Sequence, residues 1–425
     1  MSEIIVAKFG GTSAAQPQAV MKHIEKQGAG VYVVSAAGSD PGQPRNSRMT
    51  KILESDLEGK QLRKTVKNRL GVVASRADVD VSEYLTGADT DLGEWPPETR
   101  AALGEKWSAQ LFAHGLESRG IATELADPRE FIRFEAATGK LNVEQTYRLA
   151  EKVLGSAATS KTVIVPGFYG ADENGDVHML PSGGSDLSGA LIARALHASE
   201  YQNWSDVNGY QSADPRYFPL AQQISRITYD EKRELGNGGN GLLHRQVSKI
   251  LAGRNIPTRM LNTFSDGSKS TLISDTRESI DDMPIVGVTL QKMVELSLIA
   301  RDDKAGETVR VYEKLEAAHI PYRHVTTAAD ALSVYIDEEY ARAAHAALVG
   351  EIKDSALVDA IHVVGEGLRT EQSRLHAIGI EKRLYEAGIE DRGEVNIGTL
   401  PSKTFMVPSG SGAAAVRAII GGIQA

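Results

Sequence analysis

The chain has 425 residues, with 47 lysines and arginines against 56 aspartates and glutamates, a formal charge of −9, and no cysteine. The missing thiols exclude disulfide stapling and thiolate catalysis. Charges of both signs are interspersed without a basic block that would neutralise a phosphate backbone, so nucleic acid is not an expected partner.

That length predicts two or three domains. No apolar run approaches the ~18 residues of a membrane helix, so no membrane partner is expected. The first residues lead straight into a β-branched run without the segments of a secretory leader, and the expected location is cytoplasmic.

From residue 1 to about residue 275, runs rich in β-branched or aromatic residues at 4–9, 31–36, 162–168, 201–204 and 256–261 alternate with stretches of helical spacing such as Leu103, Trp107 and Leu111. The alternation predicts an α/β domain with a largely parallel sheet and helices on both faces. Folds of this kind place ligands at the C-terminal ends of their strands. Residues 71–100, with "WPPE" near their end, read as a surface excursion or a lid. The acidic stretch 271–284 reads as a linker.

Beyond it the rhythm changes and then repeats. Strands at 285–290 and 295–300 precede a helix at 307–318 and strands at 322–325 and 331–336. A second round has a strand at 360–364, a helix at 373–387, strands at 395–397 and 404–407, and a last helix from Gly412. The duplication predicts a pair of small ferredoxin-like modules. The expected domains are 1–280 and 281–425.

Three segments carry chemistry. In "KFGGTS" (8–13) a lysine and two glycines close the first strand and open a helix. Glycines admit a ligand close to the backbone, the helix start offers unpaired N–H groups, and Lys8 adds a point charge, which together make a socket for phosphate. An ordinary glycine turn is the competing reading. "PSGGSD" (181–186) repeats the pattern ahead of an amphipathic helix; a plain N-cap explains Ser185 and Asp186 but not the two glycines before them. In "WSDVNGYQSADPR" (204–216) Asp206, Asp214 and Arg216 either hold a nucleotide or its metal, or form an Asx-rich turn with a surface ion pair. His244 has no second ligand at metal spacing nearby and reads as a packed structural histidine.

In order along the chain, "KFGGTS", "VVSA" (33–36), "GE" (104–105), "GFYG" (167–170), "GGSD" (183–186), "SDVNG…ADPR", "LLH" (242–244) and "IPTRMLNTF" (256–264) resemble the motifs of the aspartokinases, in the amino acid kinase superfamily. The tail resembles their tandem ACT domains. The resemblance implies an amino acid kinase-like α/β/α sandwich followed by two ferredoxin-like modules, and phosphoryl transfer from MgATP to the β-carboxylate of aspartate. Under it, Lys8 and Asp186 are catalytic, and Gly10, Gly11, Thr12 and Ser13 cradle the phosphate. Glu105, Ser182, Gly184 and Ser185 hold the substrate, and Ser205, Asp206, Asp214, Arg216 and Arg245 hold the nucleotide. No side chain is assigned to the Mg2+ itself. It further implies an amino-acid effector at the ACT modules, around residues 303–306 and 373–378, and a homodimer joined through them. Such chemistry rests on positioning and charge neutralisation.

Some positions depart from the family. Its arginine for the substrate α-carboxylate is replaced in the run Leu180-Pro181-Ser182, its nucleotide lysine by Gly241, and its tyrosine and threonine by Gln211 and Ser212; Ala102 stands for a serine. Losing a bidentate charge-assisted pair lowers affinity at least about tenfold. Two alternatives therefore stand beside aspartate: a kinase of another small acid, or a non-catalytic nucleotide- or amino-acid-binding homologue.

Overall fold

The computed structural model describes residues 3–39, 48–80, 88, 92, 95–96, 99–278, 280, 283–299, 304–327, 331–369, 373–390, 394–395 and 400–423. Within 71–100, residues 71–77 end the helix Gly59–Ala77, while much of the stretch read as an excursion or lid lies outside the described residues. So do residue 303 and the side chains of 304, 305 and 373–378, which carry most of the expected effector contacts.

The chain divides into two compact units. The first comprises residues 1–210, 225–229 and 242–276; the second comprises 211–224, 230–241 and 277–425. Two short segments that precede residue 276 thus pack with the C-terminal part of the chain.

The first unit is built on strands β1 (Ile5–Phe9), β2 (Gly30–Val34), β3 (Thr123–Leu125), β4 (Thr162–Pro166), β7 (Glu200–Ser205), β8 (Arg226–Thr228), β9 (Thr258–Asn262) and β10 (Ser270–Ser274); β5 (Tyr169–Ala171) and β6 (Val177–Met179) form a separate hairpin. The large sheet runs β3-β4-β2-β1-β7-β9-β10-β8. Its first six strands are parallel, and β10 turns back antiparallel against β9.

Every residue of β2 and β4 is buried, as unbroken apolar runs require when helices cover both faces of a parallel sheet. Alternation along β1 sends Ala7 and Phe9 to one face, where they pack with Val20, Met21 and Ile24 of the helix Pro17–Gln27 and with Phe112 and Leu116 of the helix Leu103–Glu117. Val6 and Lys8 take the other face. Strand order reverses between β1 and β7, and there the carboxyl ends of a parallel sheet open a crevice.

The second unit holds β11 (Gly287–Ile299), β12 (Tyr322–Thr327), β13 (Ala331–Asp337), β14 (Ile352–Val364), β15 (Glu394–Val395) and β16 (Ser402–Pro408) in one antiparallel sheet ordered β12-β13-β11-β14-β16-β15. The two halves mirror one another about the β11–β14 pair. Each has its own core: Val294, Leu296, Val311, Leu315 and Val334 in one, Val288, Ile361, Phe405, Val416 and Ile420 in the other. These are the two ferredoxin-like modules.

The two strands expected at 285–290 and 295–300 are one continuous strand. Gln291 and Lys292, which look like a break in the apolar pattern, stay paired with Ala360 and Asp359 of β14. Ladder bonds join backbones, so a polar pair interrupts the hydrophobic run without interrupting the strand. A buried bidentate pair, Arg277 with Glu231, ties residues 230–237 of the helix Tyr229–Asn237 into this unit; the Arg277 Nη2 to Glu231 Oε1 distance is 2.8 Å. Glu231 also accepts the Glu366 amide, and Arg277 donates to the Met283 carbonyl.

Candidate active site

The turns that line the crevice leave no room for an added atom at Gly38, Gly167, Gly183 and Gly184. After β1, Gly10 donates to the Trp204 carbonyl at 3.0 Å and caps the short helix Gly11–Ala14 without a side chain. The Gly11 carbonyl receives Gly38 N–H at 2.7 Å, and a Cβ on Gly38 would lie 2.6 Å from the Gly11 carbonyl carbon. After β4, a Cβ on Gly167 would meet Ser185 at 2.7 Å. Gly183 has φ +81°, which glycine adopts without strain, and a Cβ on Gly184 would strike Phe168 at 2.5 Å. Gly184 and Ser185 then start the helix Gly184–Ala195. The two glycine motifs of the sequence are therefore close backbone approaches at one edge of one sheet.

Lys8, on the face turned toward that helix, places Nζ 2.6 Å from Asp186 Oδ1, with the two side chains 11 and 16 % exposed. Asn203 on β7 donates from Nδ2 to the same oxygen at 2.7 Å. Asn203 is the register partner of Lys8 across the β1–β7 pair. Tyr201, two residues earlier on the same face, donates to the Asp186 carbonyl at 3.3 Å.

Glu105 sits in the first turn of Leu103–Glu117, 5 % exposed, and among the described residues its Oε2 has no hydrogen-bond partner. Burial pushes its carboxyl up to about 8, against backbone hydrogen bonds at Ala36 and Glu105 itself and the Lys8 charge; Glu54 adds to the rise. A carboxylate this dry, with an orphan oxygen, is a receptor for a cation or an N–H donor.

The remaining expected residues fall into three groups. Thr12 is half-buried, but Ser13 is wholly buried, with its hydroxyl 2.7 Å from Thr263 Oγ1, so the turn offers a ligand its backbone at that position. Ser205 ends β7 and Asp206 follows it at the same edge, Asp206 exposed, and Ser182 and Arg245 are exposed. Asp214 and Arg216 belong to the second unit and pair with each other, Nη2 to Oδ2 at 2.5 Å, while the Arg216 amide donates to Asp214 Oδ1. That pair holds the Asp214 carboxyl below its usual range. His244 caps the helix Arg245–Leu251, accepting from the Gln246 amide, and its ring packs against Gly183. Sequence reasoning passed over Asn203, which follows a second amide, Gln202, in the run 201–204, and nothing local separates the two.

A family model described as the amino acid kinase family matches residues 3–262. The aspartate kinase of Pseudomonas fluorescens is 26 % identical over 399 residues, covering 90 % of this chain and 88 % of that protein. Among solved structures, the Clostridium acetobutylicum aspartate kinase superimposes with a TM-score of 0.88 at 23 % identity, covering 99 % of this chain and 100 % of that one. The E. coli aspartokinase III in complex with aspartate and ADP gives 0.74 at 20 % identity, with both chains wholly covered. The family match spans every strand of the large sheet but β10 and every glycine turn of the crevice, and the chain belongs to the amino acid kinase family.

Proposed function

We propose that the protein is an aspartokinase, transferring the γ-phosphoryl group of ATP to the β-carboxylate of L-aspartate. The observation that carries this reading is the Lys8–Asp186 pair at the point where strand order reverses, flanked by two side-chain-free turns. A carboxylate oxygen attacks the γ-phosphorus, the bond to the β–γ bridging oxygen breaks, and ADP departs, leaving an acyl phosphate. The acceptor is already ionised at neutral pH, so no general base is needed. Charge grows on the phosphoryl oxygens during transfer, and the Lys8 ammonium with the amides at the start of the helix Gly11–Ala14 neutralises it. Glu105 receives the substrate ammonium, which would satisfy its orphan oxygen.

Among the described residues no three His, Asp or Glu side chains gather as a cage for a metal. The donor set fits a magnesium ion carried on the nucleotide phosphates, with Asp186 Oδ2 and Asp206 as the carboxylates able to receive it, and the ion would supply further charge neutralisation. Ser205, Asp206 and Arg245, with Asp214 and Arg216, are the proposed nucleotide contacts, and Ser182, Gly184 and Ser185 the substrate contacts.

Residues 1–280 would form the catalytic domain and 281–425 a regulatory pair of ACT modules that binds an amino-acid effector and joins a homodimer; sedimentation as a monomer at working concentration would refute the dimer. No described helix is long and apolar enough to cross a membrane, and the proposed location is cytoplasmic. Purified protein incubated with MgATP, hydroxylamine and a panel of acids tests the function. Hydroxamate with aspartate is the expected result. Hydroxamate only with another acid would move the assignment to that acid, since Ser182 stands where relatives place an arginine, and no hydroxamate with any acid would refute the kinase reading.

A further inference from the structure

We infer that Asn203, backed by Tyr201, is a positioning residue that holds Asp186 while Lys8 moves onto the transferring phosphoryl group. The inference deepens the kinase reading and rests on it. Asn203 is 3 % exposed on a strand whose neighbouring residues Tyr201 and Trp204 are also buried, and a buried amide costs free energy unless its bonds are made. It spends a donor on one atom, Asp186 Oδ1, which also takes the Lys8 ammonium. The three side chains lie at the strand-order reversal, Lys8 and Asn203 being direct neighbours across β1 and β7. Tyr201 fixes the same residue from behind, through the Asp186 carbonyl, and fits only because Gly189 leaves room: a Cβ there would stand 2.7 Å from the tyrosine ring.

The physical consequence is a competition. A largely buried carboxylate held by Lys8 alone would bind the ammonium tightly and would be left poorly compensated when the lysine turned to the phosphoryl group. With Asn203 in place Oδ1 keeps a donor throughout, so the lysine is released at lower cost, and the carboxylate stays oriented with Oδ2 toward the crevice. Asn203 touches neither substrate in this scheme; it acts through Asp186.

The test uses the full-length protein. Asn203→Leu keeps the volume and removes the donor; kcat is expected to fall roughly tenfold, the loss of one hydrogen bond to a charged group, with both KM values within about twofold. Asn203→Asp supplies a donor only when protonated, so its kcat should rise as pH falls below that of the wild-type profile's plateau, a change that a merely structural role would not produce. A readout without turnover separates this inference from the kinase reading: labelling of Lys8 by an amine-reactive reagent, followed by mass spectrometry, should slow severalfold in Asn203→Leu as Asp186 tightens on the ammonium. Slower labelling supports the competition even where no acid yields hydroxamate. Wild-type kcat in Asn203→Leu, a wild-type pH profile in Asn203→Asp, or unchanged Lys8 labelling would overturn it.

Discussion

Glu105 provides the most exacting test, because one buried carboxyl should couple substrate binding to pH. In the free protein its carboxyl titrates near 8 instead of 4.5, chiefly because it is buried. An ammonium can pair with it only after the proton leaves. The apparent dissociation constant of an amino-acid substrate should therefore carry the factor 1 + 10^(8 − pH), which is roughly 100 at pH 6, about 11 at pH 7 and about 2 at pH 8. Affinity should rise about ninefold from pH 6 to 7 and roughly fivefold more from pH 7 to 8, and level above pH 8. At pH 7, binding should release about 0.9 proton per site.

Calorimetry with aspartate in two buffers of different ionisation heat measures both quantities. Glu105→Gln retains an acceptor and removes the titration, so it should bind weakly and with no slope between pH 6 and 8. The stability of the free protein should move the other way. Between the unfolded and folded pKa values the native state binds more protons, so Glu105's stabilising contribution, complete below about 4.5, is lost as pH rises through 8, by up to about 1.4 kcal/mol per unit. Wild-type affinity that is flat from pH 6 to 8, or a slope that survives in Glu105→Gln, would show that Glu105 does not receive the substrate ammonium.

Three further outcomes follow from the geometry. Lys8→Ala should lower turnover by about two orders of magnitude or more, the scale of a preorganised charge facing a transition state, and unchanged single-turnover rates would remove Lys8 from the chemistry. Gly38→Ala puts a methyl 2.6 Å from a backbone carbon of Gly11; overpacking of this kind costs about 1–3 kcal/mol, so urea unfolding should shift and the phosphate turn should be displaced, with wild-type stability counting against the described approach. Arg277→Met takes the cation away from the Glu231 carboxylate, which is wholly buried, and should cost about 3–5 kcal/mol, whereas the double replacement with Glu231→Leu should recover most of it; thermal unfolding of the two variants decides.

What could be read from the chain, and what could not, divides along a physical line. Lys8, the Gly10–Gly11 corner and the Gly183–Gly184 corner are legible because a turn that must admit a phosphate needs glycine and charge at fixed offsets from a strand end, and those offsets are local. The alternating runs are legible for the same reason: burial on two faces leaves its mark on every residue of β2 and β4. Glu105 could be named from its motif, but not its orphan oxygen, since that depends on Ala36 and Lys8 arriving from two other strands' ends. Asn203 was invisible as a site residue because its neighbour Lys8 is set by the order β2-β1-β7, which periodicity does not encode.

The same line explains Ser13 and the Asp214–Arg216 pair. A hydroxyl in a phosphate turn reads as a ligand contact until Thr263, 250 residues away, is found bonded to it. An aspartate and an arginine in a loop read equally as nucleotide ligands or as partners of each other, and here they are partners. For Asp214 and Arg216 to serve a nucleotide, their mutual pair must open, and the phosphate charge must outbid a carboxylate that already holds the guanidinium through two nitrogens. The arginine side chain is 81 % exposed, and exposed pairs are worth only about 0–1 kcal/mol. A triphosphate with its metal carries more charge than one carboxylate, so under the proposed nucleotide role the Asp214–Arg216 pair would have to open toward it.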